Sequence, residues 1–409
     1  MRVPFNKLAK KKLIILTCVV TLAAATISAK ENNSVVLMAT ATEKALPHSE
    51  LPSFNVPYIS FSPEQLGDGI QVGKFDSFNA DKAKLNEFAK KINVQTFGKY
   101  DSLLVVKGDS LIFESYYLRG RIDKPHRQAS VTKAILSLAI GRAIALGHLN
   151  KSDLNKPIVS FFHDLNPAQF SSGVKSITLH QVLTMRSGLR MDGERFAAAI
   201  EKLGKKSTHD QLQAILSSSS PITPLSQVFN YQSEDPELAM LVLNAVVPNG
   251  AKAFIEKELF HKLGIFNYQW REGSCGLPIG AYGAELTSRD MVKLGLLVKS
   301  EGKWQGKQLL PKAYLAKSSN EIVALNESDI FFTGNRVKNP GYGYYWWQAD
   351  MLIGNKRYLT RSAQGGGGQY IVIIDKLDLM IVTTGHERDE QTMKVIAEEL
   401  LPLFLPQNS

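Results

Sequence analysis

Apolar positions change their spacing several times along the chain. Leu103-Leu104-Val105-Val106, a polar Lys107-Gly108-Asp109-Ser110 break and Leu111-Ile112-Phe113-Glu114-Ser115-Tyr116-Tyr117 predict two strands joined by a tight turn. Ala134 to Leu146 (AILSLAIGRAIAL) is apolar on nearly every side, broken mainly by Ser137 and Arg142, which predicts a helix buried within a larger body. From Lys151 to about Asn320 the segments read mostly as helices, divided by Pro157, Pro167, Gly173, Pro221, Pro224 and Pro248. Residues 321–340 read as a loop able to cover a site. After Gly341-Tyr342-Gly343-Tyr344-Tyr345-Trp346-Trp347 the strand pattern returns at Tyr358–Arg361, Gln369–Asp375 and Leu379–Thr384. Strands at both ends with helices between predict an α/β (α+β) fold, in which one sheet has its halves separated by a helical subdomain at about 151–340. The main domain is expected at 96–409. Residues 30–95, with a polar proline-containing stretch and an amphipathic helix near Asp81–Lys91, read as a leader segment packed on it. No internal repeat is evident.

The N-terminus has a separate character. Arg2, Lys7 and Lys10 to Lys12 form a basic region, Leu13 to Ala25 an apolar stretch, and Ile27-Ser28-Ala29 a cleavage site, so residues 1–29 read as a secretory signal peptide. The apolar stretch is shorter than the roughly 20 residues a spanning helix needs, and no stable membrane span is expected once the signal is removed. That segment carries five basic residues and no acid, so the formal net charge of +10 falls to +5 without it. The remaining charge is mixed along the chain with no basic stripe, which argues against nucleic acid as a partner. Cys275 is then the last cysteine, and an intramolecular disulfide is impossible. A bacterial periplasmic or secreted protein is the expected setting.

Candidate chemistry concentrates at the start of the apolar helix. Ser130-Val131-Thr132-Lys133 places a lysine one turn after a serine, on the same helix face. Burial disfavours an ammonium and lowers its pKa, so Lys133 is a candidate proton acceptor for the Ser130 hydroxyl. The helix N-terminus, with unpaired N–H groups, favours the negative charge that develops there. The competing reading is an N-cap serine with Lys133 reaching outward. Two further S-x-x-K copies, Ser172–Lys175 and Ser300–Lys303, contain glycine and lie in loop-like sequence. The run Gly365-Gly366-Gly367-Gly368 before an apolar strand lets backbone approach a ligand closely, and it lacks the Lys-Ser/Thr and helix start of a phosphate loop. No metal-ligand cluster is legible in the sequence: His148, His163, His180 and His209 lack paired spacing and no H-E-x-x-H occurs. Neither a metal nor a cofactor is expected.

Taken in order, these stations make roughly residues 96–405 resemble the serine hydrolases related to class C beta-lactamases and penicillin-binding D,D-peptidases. Ser130-Val131-Thr132-Lys133 is similar to the nucleophile motif. Ile177 to Leu189, ending in Ser187-Gly188-Leu189, resembles a second family segment. Phe229-Asn230-Tyr231-Gln232-Ser233 resembles the second catalytic station, the tyrosine motif, whereas Tyr58-Ile59-Ser60 shares only its spacing. Ala363-Gln364-Gly365-Gly366-Gly367-Gly368-Gln369-Tyr370 resembles the third station. The resemblance implies a beta-lactamase/transpeptidase-like fold, an antiparallel sheet flanked by helices. It implies catalytic roles for Ser130, Lys133 and Tyr231, an oxyanion site from the N–H groups of Ser130 and Gly366, a hydrogen bond from Ser233 to Lys133 or to the substrate, and substrate contacts from Gly365 and Gly367.

The third station departs from the resistance enzymes, which usually place lysine or histidine, threonine and glycine where this chain has Ala363-Gln364-Gly365. Without that cation, the motif is closer to the 6-aminohexanoate-dimer hydrolase and carboxylesterase-like branch. The expectation is therefore an exported serine hydrolase that cleaves a small ester, amide or short peptide-like substrate through an acyl-enzyme on Ser130. Two alternatives stay open, a beta-lactamase or D,D-peptidase and a catalytically silent peptide-binding module. His386, Asp192, Trp346 and Trp347 are secondary candidates for lining the cleft, set against strand-end and packing roles.

Overall fold

A computed structural model describes residues 38–78, 80–202, 207–330, 334–388 and 391–405. The signal-peptide reading of 1–29 lies outside the described residues. Ten strands form the central sheet, ordered in space as Tyr58–Ser60, Ser110–Tyr116, Tyr100–Lys107, Leu379–Gly385, Gln369–Ile374, Lys356–Gly365, Trp347–Ile353, Val337–Tyr342 and Val323–Ala324. The tenth, Gln71–Val72, pairs parallel with Ser110–Tyr116, and every other pairing is antiparallel. The chain's two ends close this sheet. Leu379 to Thr384 pair with Lys107 to Ser102, so strands read separately in the sequence become neighbours across some 270 residues of intervening chain.

Alternation along these strands divides the core into two layers. Leu104, Val106, Ile371, Ile373, Met380 and Val382 face the helix Val131–Ala145 and the helical subdomain. Leu103, Val105, Val372, Ile374, Leu379 and Ile381 face the opposite side, against Leu85, Phe88 and Ile92 of the helix Lys82–Asn93 and Met393, Ile396 and Leu400 near the C-terminus. Strands buried on both faces have no polar side, which is why they read as continuous apolar runs. The sheet flanked by helices, with a helical insertion, is the architecture the motifs implied. Among the described residues no single helix is long and apolar enough to cross a membrane.

Two segments differ from their sequence readings. Residues 321–340, expected as a loop at the end of the helical subdomain, supply Val323–Ala324 and the start of Val337–Tyr342 to the sheet edge. Short strands interrupted by Gly341 and Pro340 carry too little alternation to be recognised by pattern. The segment before residue 96 is built into the fold: Tyr58–Ser60 and Gln71–Val72 extend the sheet, and the helix Lys82–Asn93, close to its expected bounds, covers one face.

The helix Ser288–Lys299 locks the insertion to the sheet. A Cβ placed on Gly295 would come within 2.2 Å of Met380 Sδ and 2.8 Å of Ile371 Cγ2, so a larger residue here would push both side chains aside and lift the helix from the sheet. At the same helix the buried Arg289 donates to Glu114 (2.9 Å) and to Asp68 (2.8 Å), joining the insertion, the sheet and the N-terminal segment. Burial pushes the Glu114 carboxyl pKa up, and Arg289 opposes that shift. Removing one partner would strand the other charge. Arg289→Met is expected to destabilise the fold by about 3–5 kcal/mol in urea denaturation, and the double variant Arg289→Met/Glu114→Leu to recover much of that loss. Equal losses in the two variants would show that the arginine acts through packing alone.

Candidate active site

Ser130 stands where the chain turns from the short strand His126–Arg127 into the helix Val131–Ala145. The turn is strained, since Ala129 is a non-glycine residue at φ 45°, a conformation costing on the order of 1–3 kcal/mol and most often found where a side chain must be presented. Every residue from Val131 to Ala143 is buried, as the all-round apolar pattern required. Lys133 is buried with them at 3% exposure. Its Nζ donates to Ser130 Oγ at 2.9 Å and to the Ala281 carbonyl at 2.8 Å. The lysine therefore turns back to the serine rather than outward. Burial lowers its pKa to about 8, opposed by the nearby Glu237 carboxylate.

Tyr231 comes from the loop before the helix Glu234–Val246, and its hydroxyl lies near enough to the Ser130 side chain to interact with it. Lys133 Nζ lies 4.8 Å from the centre of its ring. Burial raises the phenol pKa to about 12, so the group is neutral at ordinary pH. Trp347 (ring centroids 5.3 Å) and Tyr342 (6.3 Å) pack on this ring and hold it in place. Trp346 is fully buried. The loop itself is tied down from below. The buried Asp235 accepts from the Ser187 hydroxyl, the Ser187 N–H and the Gln232 side chain, while Asn230 N–H donates to the Met185 carbonyl. The segment ending in Ser187-Gly188-Leu189 is thus the floor beneath the tyrosine. Burial raises the Asp235 pKa to about 7.

The strand Lys356–Gly365 brings the glycine run against the serine. A Cβ on Gly365 would lie 2.4 Å from the Gln128 carbonyl and 3.2 Å from the Ser130 nitrogen, so the close approach demands glycine. Beyond it, a Cβ on Gly366 would enter open space, at the edge of the cleft. The Gly366 carbonyl accepts from the Gln369 side chain at 2.9 Å, whose oxygen accepts from Gly385 N–H at 2.8 Å, fixing the turn. Gly367, at φ 105°, packs against the same glutamine. Ser130, Lys133, Tyr231 and Gly365 are therefore brought together, with Gly366 and Gly367 following at the rim.

Other candidates fall elsewhere. Ser233 is exposed at the start of its helix, and the lysine's hydrogen bonds go to Ser130 and Ala281 instead. Tyr58 and Ser60 lie in an outer strand of the sheet. Asp192 accepts from Arg195 N–H at 3.0 Å as a helix cap. His386 follows the strand Leu379–Gly385 and binds Asp101. Ser172 and Ser300 sit in turns, beside Gly173 at φ 83° and Gly302 at φ 87°. Sequence reading missed Glu237, which accepts from Ala281 N–H at 3.3 Å and so backs the carbonyl that holds Lys133. Its position one helical turn after Ser233 was the available signal.

With this geometry, the beta-lactamase family model matches residues 100–398. A search of curated proteins finds no match. Among solved structures, a protein from Bacillus anthracis assigned as a 6-aminohexanoate-dimer hydrolase is similar at 18% identity, covering 85% of this chain and 88% of that one, with a TM-score of 0.57. A protein from Bacteroides dorei assigned as a beta-lactamase is similar at 17% identity, with coverage of 80% and 99% and a TM-score of 0.60. EstCE1, described as a hydrolase with promiscuous acyltransferase activity, is similar at 14% identity, with coverage of 79% and 98% and a TM-score of 0.58. At these identities the structural likenesses establish the fold. The family match, over most of the chain, establishes more: this chain belongs to the beta-lactamase family of hydrolases.

Proposed function

We propose that the chain is an exported serine hydrolase that cleaves esters or amides through an acyl-enzyme on Ser130. The observation that carries the reading is the buried Lys133 amine 2.9 Å from Ser130 Oγ. With a pKa near 8, roughly one lysine in ten is neutral at pH 7, whereas a phenol near 12 is almost never ionised. The lysine is thus the better first base and Tyr231 the relay. Ser130 Oγ bonds to the substrate carbonyl carbon as its proton passes to Lys133. The N–H groups of Ser130 and Gly366 stabilise the oxyanion, Tyr231 passes a proton to the leaving group as its bond breaks, and water releases the acyl group by the reverse transfers.

The substrate side of the reading rests on charge. Ala363 is fully buried where a cation holds a carboxylate in related enzymes, and Gln364 turns its amide to Ser362 at 2.8 Å. Lys133 is balanced by Glu237, and Phe229, Tyr231, Tyr342 and Trp347 form an aromatic cluster. Such a site suits a neutral ester or amide better than an anionic penicillin. Export rests on the basic and apolar pattern of residues 1–29.

A fluorophosphonate probe is expected to label wild type but not Ser130→Ala, with loss of p-nitrophenyl ester turnover by more than about 10⁴-fold. In a parallel panel of aminohexanoate oligomers, D-Ala-D-Ala peptides and a chromogenic cephalosporin, higher kcat/KM for the cephalosporin than for any ester would shift the assignment to a beta-lactamase. Because the native lysine pKa is depressed, kcat/KM is expected to rise about tenfold per pH unit below pH 8 and level off above it. Lys133→Ala should lower activity by about 10²–10⁴-fold and remove that rise, and an unchanged pH profile in this variant would exclude the lysine as base. The intact mass of chain recovered from the periplasm is expected to lack residues 1–29. A full-length mass in that fraction would contradict cleavage at Ala29.

A further inference from the structure

Away from the serine, one side-chain cluster draws its members from four separate parts of the chain. Three ligand atoms, one each from His48, Asp101 and His126, lie within 4.8 Å of one another. His126 Nε2 is 3.0 Å from the Asp101 oxygen and His48 Nε2 is 3.8 Å from it. His386 Nδ1 meets the same oxygen at 2.8 Å, and the other Asp101 oxygen accepts from Arg119 N–H at 3.0 Å. Asp101 is fully buried and His126 is 5% exposed.

Hydrogen-bond accounting shows what the cluster lacks. His126 Nδ1 faces the Arg127 carbonyl at 3.0 Å, and because a carbonyl only accepts, Nδ1 carries a proton. The neutral ring then turns an Nε2 lone pair toward a carboxylate, which also only accepts. Two acceptors 3.0 Å apart require a positive centre between them, either a second proton or a metal ion. His48 favours the metal. Its Nε2 is buried with no hydrogen-bond partner, a costly arrangement that a proton-linked His126–Asp101 pair does not need. A zinc ion with ligand bonds of about 2.0–2.1 Å sets neighbouring tetrahedral ligand atoms about 3.3 Å apart, and the separations of 3.0 and 3.8 Å bracket that spacing.

We propose that His48 Nε2, Asp101 Oδ2 and His126 Nε2 bind a divalent transition-metal ion of the zinc type, with His386 orienting the carboxylate from outside the ligand shell. Histidine paired with carboxylate is a donor set for zinc and its neighbours rather than for calcium or magnesium. An outer hydrogen bond to a ligating carboxylate is the usual support. The ion staples the His48–Glu50 turn to the strand Tyr100–Lys107 and to the strand that leads into Ser130. Two ties run from the cluster toward the serine site: the His126 carbonyl accepts from Gln128 at 2.9 Å, and Gly385, next to His386, bonds Gln369, which holds Gly366. The role is structural, since no group the hydrolysis uses is a ligand.

The test uses the full chain, stripped with a chelator, dialysed and titrated with Zn²⁺ by calorimetry. Wild type is expected to bind one equivalent and to gain several degrees in Tm, because the ion binds the folded state. His48→Gln and Asp101→Asn should lose that equivalent, while His209→Gln, at a surface histidine, keeps it. X-ray absorption at the zinc edge of the loaded wild type provides a check that needs no variant, with imidazole nitrogen and carboxylate oxygen neighbours expected. Failure of folded wild type to take up zinc, full uptake by folded His48→Gln, or a shell without imidazole would overturn the site.

Discussion

A lysine amine withdrawn from water is the constraint around which this molecule is arranged. Holding Lys133 at a pKa near 8 instead of 10.5 withdraws on the order of 3 kcal/mol from its charged form. That is possible only if the surroundings are dry and fixed. The helix Val131–Ala145 provides the dryness by being buried on every side. The Ala281 carbonyl, itself backed through Ala281 N–H by Glu237, provides the fixed second partner that keeps the amine facing Ser130. A lysine free to snorkel would return to its ordinary pKa and lose the property that the proposed mechanism needs.

The sheet serves that same arrangement. Its two halves come from opposite ends of the sequence and meet where Leu379–Gly385 pairs with Tyr100–Lys107. Once joined, they set the strand Lys356–Gly365 beside the serine turn, at a distance that only a glycine at 365 permits. The insertion carrying Tyr231 is held by different means: Arg289 with its two carboxylates on one side, and the Ser187–Asp235 link under the tyrosine loop on the other. Ser130 with Lys133, Tyr231 and the glycine strand therefore rest on three elements whose relative positions are fixed by buried polar ties as well as apolar packing.

The electrostatics of the cleft separate what the family shares from what this chain does with it. In the proposed hydrolysis, the serine–lysine–tyrosine arrangement activates the nucleophile whatever the acyl group. Selection among acyl groups depends on charge near the glycine strand, and here the buried Ala363 supplies none. The aromatic packing of Trp347 and Tyr342 on Tyr231 positions the phenol and also makes that side of the cleft apolar.

The sequence by itself determined the elements whose physics is local. A helix apolar all round had to be buried, alternating runs had to be strands, and a lysine three residues after a serine had to share its helix face. Ser130, Lys133, Tyr231 and the glycine run were legible because each belongs to a short motif with its own chemistry. Tertiary structure decided everything that depends on distant residues. The short edge strands in 321–340 take their form from pairing rather than pattern. The role of Glu237 exists only because Ala281 lies between it and Lys133, and of the two contacts expected for Ser233 its exposure leaves the one to substrate. The meeting of His48, Asp101 and His126 left no mark on local spacing at all. Side-chain periodicity reports which face of an element is buried, but not which other element will cover it.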